Sequence, residues 1–364
     1  MKTFIFSTIS ILICSFVGAC TLNKELVATI DNEEPSSRHY YDGKFQNAVH
    51  SEPPSLGKTL GIFARYFTEK KVDAVPNERV PVQPVTREQL DALSVDGVHL
   101  IKLGHSSILL KMFGEYWLID PVFSERASPF SFIGPKRFEP APISIEELPP
   151  IDKVLISHNH YDHLDQAAVK ALNAKTTLFL VPLGVQGDLK KWGVSNDKIK
   201  QFDWWQEWQT KHALIAFTPT QHFSGRGIGD GNKTLWGSWV VKSDERSFYF
   251  SGDSGYFSGF KDIGHKYGPF DVTMIETGAY DKDWADIHMT PEESVQAHID
   301  LAGKVMVPIH NGTFDLAFHP WYEPLNRVRQ AAALNKVVLS TPEFGQVFTL
   351  DAAPIETVWW KETP

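Results

Sequence analysis

The chain runs to 364 residues with 42% hydrophobic and 22% charged side chains, room for one large α/β domain or two small ones. Its 35 basic and 44 acidic side chains leave a net charge of -9, and no Lys/Arg-rich run occurs. A protein that binds along nucleic-acid phosphates normally shows a basic face, so nucleic acid is a poor candidate and is not the expected partner.

The opening stretch MKTFIFSTISILICSFVGAC carries one lysine, a short apolar run and the small pair Gly18-Ala19 before Cys20. This is the pattern of a secretion signal, too short to span a membrane comfortably as a permanent helix. Val17-Gly18-Ala19-Cys20 also resembles the bacterial lipobox, in which the cysteine is lipidated and becomes the new first residue. Residues 1–19 are therefore expected to be a lipoprotein signal and Cys20 a lipid anchor, the mature protein being exported and membrane-tethered. Thr21 after the cysteine points to the periplasmic side of an outer membrane. The other cysteine, Cys14, falls inside the signal, so stability must come from packing and metal rather than a disulfide.

Residues 20–85 are polar, with scattered prolines, and read as a tether and strap in which 56–67 could form a short amphipathic helix. The catalytic domain is expected over 86–364. It begins with a helical pattern at 86–93, where Thr86 and Gln89 stand at capping-box spacing. Apolar runs of strand length follow at 99–112, 116–119, 153–157, 177–181, 214–218, 238–241, 247–250, 272–276 and 304–309. Helical patterns fall at 164–174, 291–301 and 324–334, the second with proline in its first turn. Strands and helices mix without strict alternation and without an internal sequence repeat. That predicts an α/β fold of two face-to-face sheets with helices outside, a four-layer αββα sandwich, rather than one doubly wound sheet.

The chemistry concentrates in Ser157-His158-Asn159-His160-Tyr161-Asp162-His163, between an apolar run and a helix. In an extended segment His158 and His160 share a side, whereas Asp162 and His163 enter the turn and can face a second ion. Crowding so many titratable groups into one turn carries a desolvation cost that a metal offsets. Imidazole and carboxylate suit zinc first, with iron or manganese as alternatives. His222, Asp253 and His310 each end a later apolar run in the same way, and Gly252 allows close backbone approach before Asp253.

An H-x-H-x-D-H motif followed by a distant His, Asp and His resembles the metallo-β-lactamase superfamily. The resemblance implies that His158, His160 and His222 hold one metal, that Asp162, His163 and His310 hold the other, and that Asp253 bridges. With no cysteine available as a ligand, the hydrolase and phosphodiesterase branches are the closer match. Further segments resemble the N-acylphosphatidylethanolamine-hydrolysing phospholipase D family: Leu103 to Ser107 (LGHSS), Asp120 to Ser124 (DPVFS), Gly134 to Phe138 (GPKRF), Asp203-Trp204-Trp205, Thr218 to His222 (TPTQH), Leu235 to Trp239 (LWGSW), Gly252 to Tyr256 (GDSGY), Gly278-Ala279-Tyr280 and Ile309 to Phe314 (IHNGTF). Carried over from that family, Tyr161 and His288 contact the lipid, and Asp162 and His288 take the catalytic roles. The loop from Tyr280 to His288 departs from the family in its acidity (Asp281, Asp283, Asp286), and Asn311 stands where a Trp is usual.

The expected activity is hydrolysis of a phosphodiester by two zinc ions, releasing phosphatidic acid and an N-acylethanolamine from a phospholipid at a membrane surface. Phe130, Phe132, Ile133, Trp204, Trp205, Trp208 and Trp284 are candidates for a lipid-facing rim or, equally, for core packing. Alternatives are a lactonase or small sugar-phosphate hydrolase, and, from another class, an envelope lipoprotein whose metal is structural. The oligomeric state stays open, a homodimer included.

Overall fold

A computed structural model of the chain describes residues 37–49 and 56–360. The signal at 1–19, Cys20 and the tether up to residue 36 lie outside the described residues. Among the described residues no helix is long and apolar enough to cross a membrane.

The apolar stretch at 99–112 folds not as one strand but as two, His99–Gly104 and Ser107–Met112, and every position in both is buried. A run without polar alternation belongs to a sheet covered on both faces. The chain reverses at His105-Ser106, where Gly104 (φ 128°) and His105 (φ 52°) take left-handed backbone.

Two seven-stranded sheets result. The first runs Val347–Thr349, His99–Gly104, Ser107–Met112, Glu115–Ile119, Ile151–Leu155, Thr176–Pro182, Ile199–Phe202. The second runs Val338–Leu339, Gly303–Ile309, Phe270–Glu276, Ser247–Phe250, Ser238–Lys242, Leu214–Thr218, Glu207–Gln209. Each sheet has an antiparallel half joined to a parallel half. The repeat absent from the sequence is thus present in the topology.

Alternation sorts the core. Leu100, Ile108, Leu110, Trp117 and Leu155 face Phe217, Trp239, Phe250, Met274 and Val307 between the sheets. Their neighbours Ile101, Leu109, Leu118 and Val154 point outward onto helix Gln166–Leu172, and Val240, Tyr249, Ile275 and Met306 onto helices Gly259–Tyr267, Pro291–Asp300 and Glu323–Asn335. The fold is the four-layer α/β sandwich. Local signals hold at helix starts: Thr86 and Thr290 form complete capping boxes and Asp165 caps the helix after the histidine motif.

Strand direction places the site. Within the first sheet the strands ending at Gly104, Ile119 and Leu155 point the same way, as do those ending at Thr218, Phe250, Glu276 and Ile309 in the second. Their carboxyl ends meet along one edge, stitched by His310 N–H to His105 O (3.2 Å), Gly237 N–H to Ser157 O (3.1 Å) and Trp239 Nε1–H to Ile156 O (3.0 Å). The carboxyl edge of a strand layer is where such scaffolds collect functional loops.

Candidate metal centre

At that edge five residues adopt left-handed backbone as the chain leaves its strand: His105 (φ 52°), Asp120 (φ 43°), Gly252 (φ 56°), Ala279 (φ 56°) and His310 (φ 62°). Four are not glycine, and strain of this kind persists where the surroundings over-determine it, commonly at functional sites. Gly252 is required as such. A Cβ there would lie 2.8 Å from both Gly237 O and Ser157 Cβ.

The side chains so delivered form three overlapping donor groups, each with its atoms within 4.8 Å of one another: His158, His160, His222 and Asp253; His105, Asp162, His163 and His310; and Asp253, His288 and His310. His160 Nδ1 sits 2.9 Å from His158 Nε2 and 3.2 Å from His222 Nε2, so three imidazole nitrogens face one another. His163 Nε2 and Asp253 Oδ1 approach to 3.1 Å, and His310 Nε2 reaches 3.1 Å from Asp253 Oδ2, yet His163 Nε2, Asp253 Oδ1 and His310 Nε2 are buried without a hydrogen bond. Orphaned polar atoms converging without hydrogen-bond geometry are aimed at a common third object, and the imidazole and carboxylate donors suit divalent cations. Asp253 belongs to two of the groups and so supplies the shared carboxylate.

The outer partners fix which nitrogen faces inward. Ser157 Oγ donates its one proton to Asp120 Oδ2 (2.5 Å), so at 2.9 Å it accepts from His158 Nδ1–H and leaves Nε2 free. His222 Nδ1–H donates to Ile287 O (3.0 Å) and His163 Nδ1–H to Asp120 Oδ2 (2.7 Å). His105 Nε2–H donates to Asp162 Oδ2 at 3.0 Å. Such partners set tautomer and orientation in metal sites. Burial keeps His158, His160 and His222 neutral, His160 down to about 4. Burial also works against charge on His163 and His310, but there Asp253 and the other carboxylates win, raising His163 and taking His310 to about 10.

Every predicted ligand, His158, His160, Asp162, His163, His222, Asp253 and His310, is gathered here, and His288 is brought beside Asp253 and His310. Tyr161 stands apart. Its hydroxyl donates to Arg226 O (2.6 Å), the Arg226 guanidinium lies 4.0 Å from its ring centroid, and it walls a neighbouring recess of about 250 Å³ with Ser124, Arg126, Ser128, Ser131 and Gln166. The aromatic rim divides. Phe130, Phe132 and Ile133 are exposed, Phe132 at 76%, whereas Trp204 is buried against Trp236, and Trp205 and Trp208 pack on the core. For these three tryptophans the packing against the core replaces a place on the rim. Trp284 is part-buried, donating to Ala279 O at 2.6 Å. In the acidic loop, Asp281 and Asp283 bind Arg65 of helix Leu56–Thr68.

Residues without an assigned role in the sequence reading also matter. His105 and Asp120 stood in segments quoted there, while Glu276 and Asn47 gave no local signal. Asn47 Nδ2 donates to His222 O (2.8 Å) and its Oδ1 accepts from His222 N–H (3.0 Å), so the strap grips a donor residue by its backbone on both sides.

Comparison with known proteins agrees with this geometry. The Beta-lactamase superfamily domain model matches residues 116–311. The uncharacterized protein Rv0906 of Mycobacterium tuberculosis is 44% identical over 341 residues, 92% of this chain and 90% of that protein. N-acyl-phosphatidylethanolamine-hydrolyzing phospholipase D 1 of Caenorhabditis elegans is 35% identical over 289 residues, 74% of this chain and 80% of that protein. Among solved structures, the metallo hydrolase Igni18 of Ignicoccus hospitalis shares the fold with a TM-score of 0.53 at 22% identity, covering 69% of this chain and 97% of that one. The chain belongs to the metallo-β-lactamase superfamily and is a metal-dependent hydrolase of that fold.

Proposed function

We propose that the chain is a two-zinc phosphodiesterase that hydrolyses N-acylphosphatidylethanolamine-type phospholipids to phosphatidic acid and N-acylethanolamine. The observation that carries the reading is the shared carboxylate: Asp253 belongs to two donor groups, with His288 beside it. The Caenorhabditis elegans relative directs the choice of substrate. His158, His160 and His222 would hold one ion, Asp162, His163 and His310 the other, and Asp253 both. Two bound cations would supply an acidified water as nucleophile and positive charge against the phosphate.

The chain's own residues do the rest. Tyr161 and His288 contact the lipid, Tyr161 from the neighbouring recess, and His288 serves the departing oxygen. Exposed Phe130, Phe132 and Ile133 form an apolar lip for a lipid surface. Lipidated Cys20 would hold the exported protein at the periplasmic face of an outer membrane, and Cys20→Ala should release it from the membrane fraction.

The test is incubation of protein from Thr21 onward with N-acylphosphatidylethanolamine in detergent, with and without chelator, beside His158→Ala, with products followed by mass spectrometry and metals by elemental analysis. Chelator-sensitive release of both products supports the reading; no release from protein holding two metals sinks it. A second reading, a small polar ester or sugar phosphate as substrate, is favoured by the recess beside Tyr161 with its serines and Arg126. It predicts turnover of such compounds without detergent.

A further inference from the structure

Glu276 is the last residue of strand Phe270–Glu276 and is fully buried at the site edge. Its Oε2 accepts from Ser254 N–H at 2.5 Å, its own N–H donates to Ser251 Oγ at 2.8 Å, and its carbonyl accepts from Ser294 Oγ at 2.6 Å. These bonds anchor both the backbone and one carboxylate oxygen, and Glu276 belongs to none of the donor groups. Its remaining oxygen, Oε1, takes the hydrogen bond from His288 Nδ1–H. His288 sits with its ring centroid 5.1 Å from that of His222 and 5.4 Å from that of His310, and its side chain stays 14% exposed while Glu276 is sealed beneath it.

A carboxylate that accepts from one ring nitrogen determines what the other can do. With Nδ1 protonated, His288 presents Nε2 to the space it shares with Asp253 and His310. We propose that Glu276 is a positioning residue for His288, holding Nδ1–H so that Nε2 faces the reacting phosphate and hands a proton to the alkoxide that leaves phosphorus. The inference rests on the phosphodiesterase reading above. In the step, water adds to phosphorus, the phosphorus–alkoxide bond breaks with its electron pair going to the alkoxide oxygen, and that oxygen takes the proton from Nε2. That proton is the one the attacking water gives up to Nε2, so His288 ends the step as it began, with Nδ1–H still on Glu276.

The experiment uses Glu276→Gln. The glutamine oxygen can keep the Ser254 amide, but its NH2 then faces Nδ1, which can no longer carry a proton without two donors opposing. Wild type, Glu276→Gln, Glu276→Asp, His288→Ala and the double variant Glu276→Gln/His288→Ala are compared on two phosphodiesters with the same phosphoryl group. One has a p-nitrophenyl leaving group, which departs without a proton, and the other an alkyl alcohol, which needs one. Expected is a fall in kcat of roughly a hundredfold or more on the alkyl ester, little change on the nitrophenyl ester, unchanged KM and two metals per chain. Glu276→Asp should recover part of the loss, and the double variant should be no slower than His288→Ala.

Equal losses on both esters, loss of metal, or additive losses in the double variant would overturn the proposal. Should the wild type cleave neither ester, the phosphodiesterase reading falls, and a second measurement still judges the pairing. A low-field proton resonance from His288 Nδ1–H, present in the metal-loaded wild type and lost in Glu276→Gln, supports the positioning role. Its absence from the wild type overturns it.

Discussion

The two halves of the sandwich share a strand plan but load it differently. The first half packs His158, His160, Asp162 and His163 into one turn after Ile151–Leu155, whereas the second contributes His222, Asp253 and His310 singly from three strand ends. One turn makes a motif that is set by local backbone; three strand ends make a set that exists only when the sheet is assembled. The clustered half therefore carries most of the donors, and the distributed half supplies the one carboxylate, Asp253, that belongs to two of the donor groups.

That contrast can be broken most forcefully at Asp253. Asp253→Ala should lose both metals and lower activity on the order of a thousandfold or more, while His222→Ala should cost only the ion held with His158 and His160. Elemental analysis of both variants decides the matter, and equal metal loss in the two would deny Asp253 its shared place.

The clustered half also leans on its partner. Trp239 packs against Phe202 and Phe217 between the sheets and holds Ile156 O, one residue before the motif begins. Trp239→Ala should destabilise by about 3–5 kcal/mol, read as a shifted denaturant midpoint.

Acid should separate the two donor groups. His163 and His310 hold protons in the metal-free state, His310 up to about 10, whereas His158, His160 and His222 do not. Metal loading near neutral pH must expel those protons, so apparent affinity falls with falling pH, by up to about a hundredfold per unit where two protons compete. For the metal-free fold the sign is opposite: raised values stabilise at neutral pH and below, and that contribution fades as pH climbs through about 10. Calorimetry in buffers of different ionisation enthalpy counts the protons; a release near zero would refute the assignment.

A smaller effect is expected at Asn47, which belongs to neither half. Asn47→Ala should weaken the ion at His158, His160 and His222 by roughly 10 to 100-fold and leave the other ion in place, as metal titration would show.

A separate effect, on stability alone, concerns Lys102, which reaches from the first sheet to Pro308 O of the second at 2.8 Å. Burial brings its amine down to about 7. Between about 7 and the ordinary lysine value the unfolded chain binds the extra proton, so stability rises with pH there, by at most about 1.4 kcal/mol per unit. Lys102→Met should remove that slope, measured as the difference between the two proteins' stability profiles.

The sequence by itself determined whatever is encoded within a few residues. The Thr86 capping box, the proline-led helix at Pro291–Asp300, strands Leu214–Thr218 and Ser247–Phe250, and the crowded turn at 158–163 were legible because their partners are neighbours along the chain. Strands Ile199–Phe202, Glu207–Gln209, Val338–Leu339 and Val347–Thr349 were not, being short edge or near-edge pieces whose identity comes from pairing. Helix Gly259–Tyr267 carries two glycines and Gln186–Lys191 lacks a side-chain cap, so neither announced itself. Only the tertiary structure decided that Trp204 is core while Phe132 is exposed, that Asn47 grips His222, and that Glu276 stands behind His288. Each of those facts is a contact between residues far apart in the chain, made when two sheets bring their carboxyl edges together and bury what lies between.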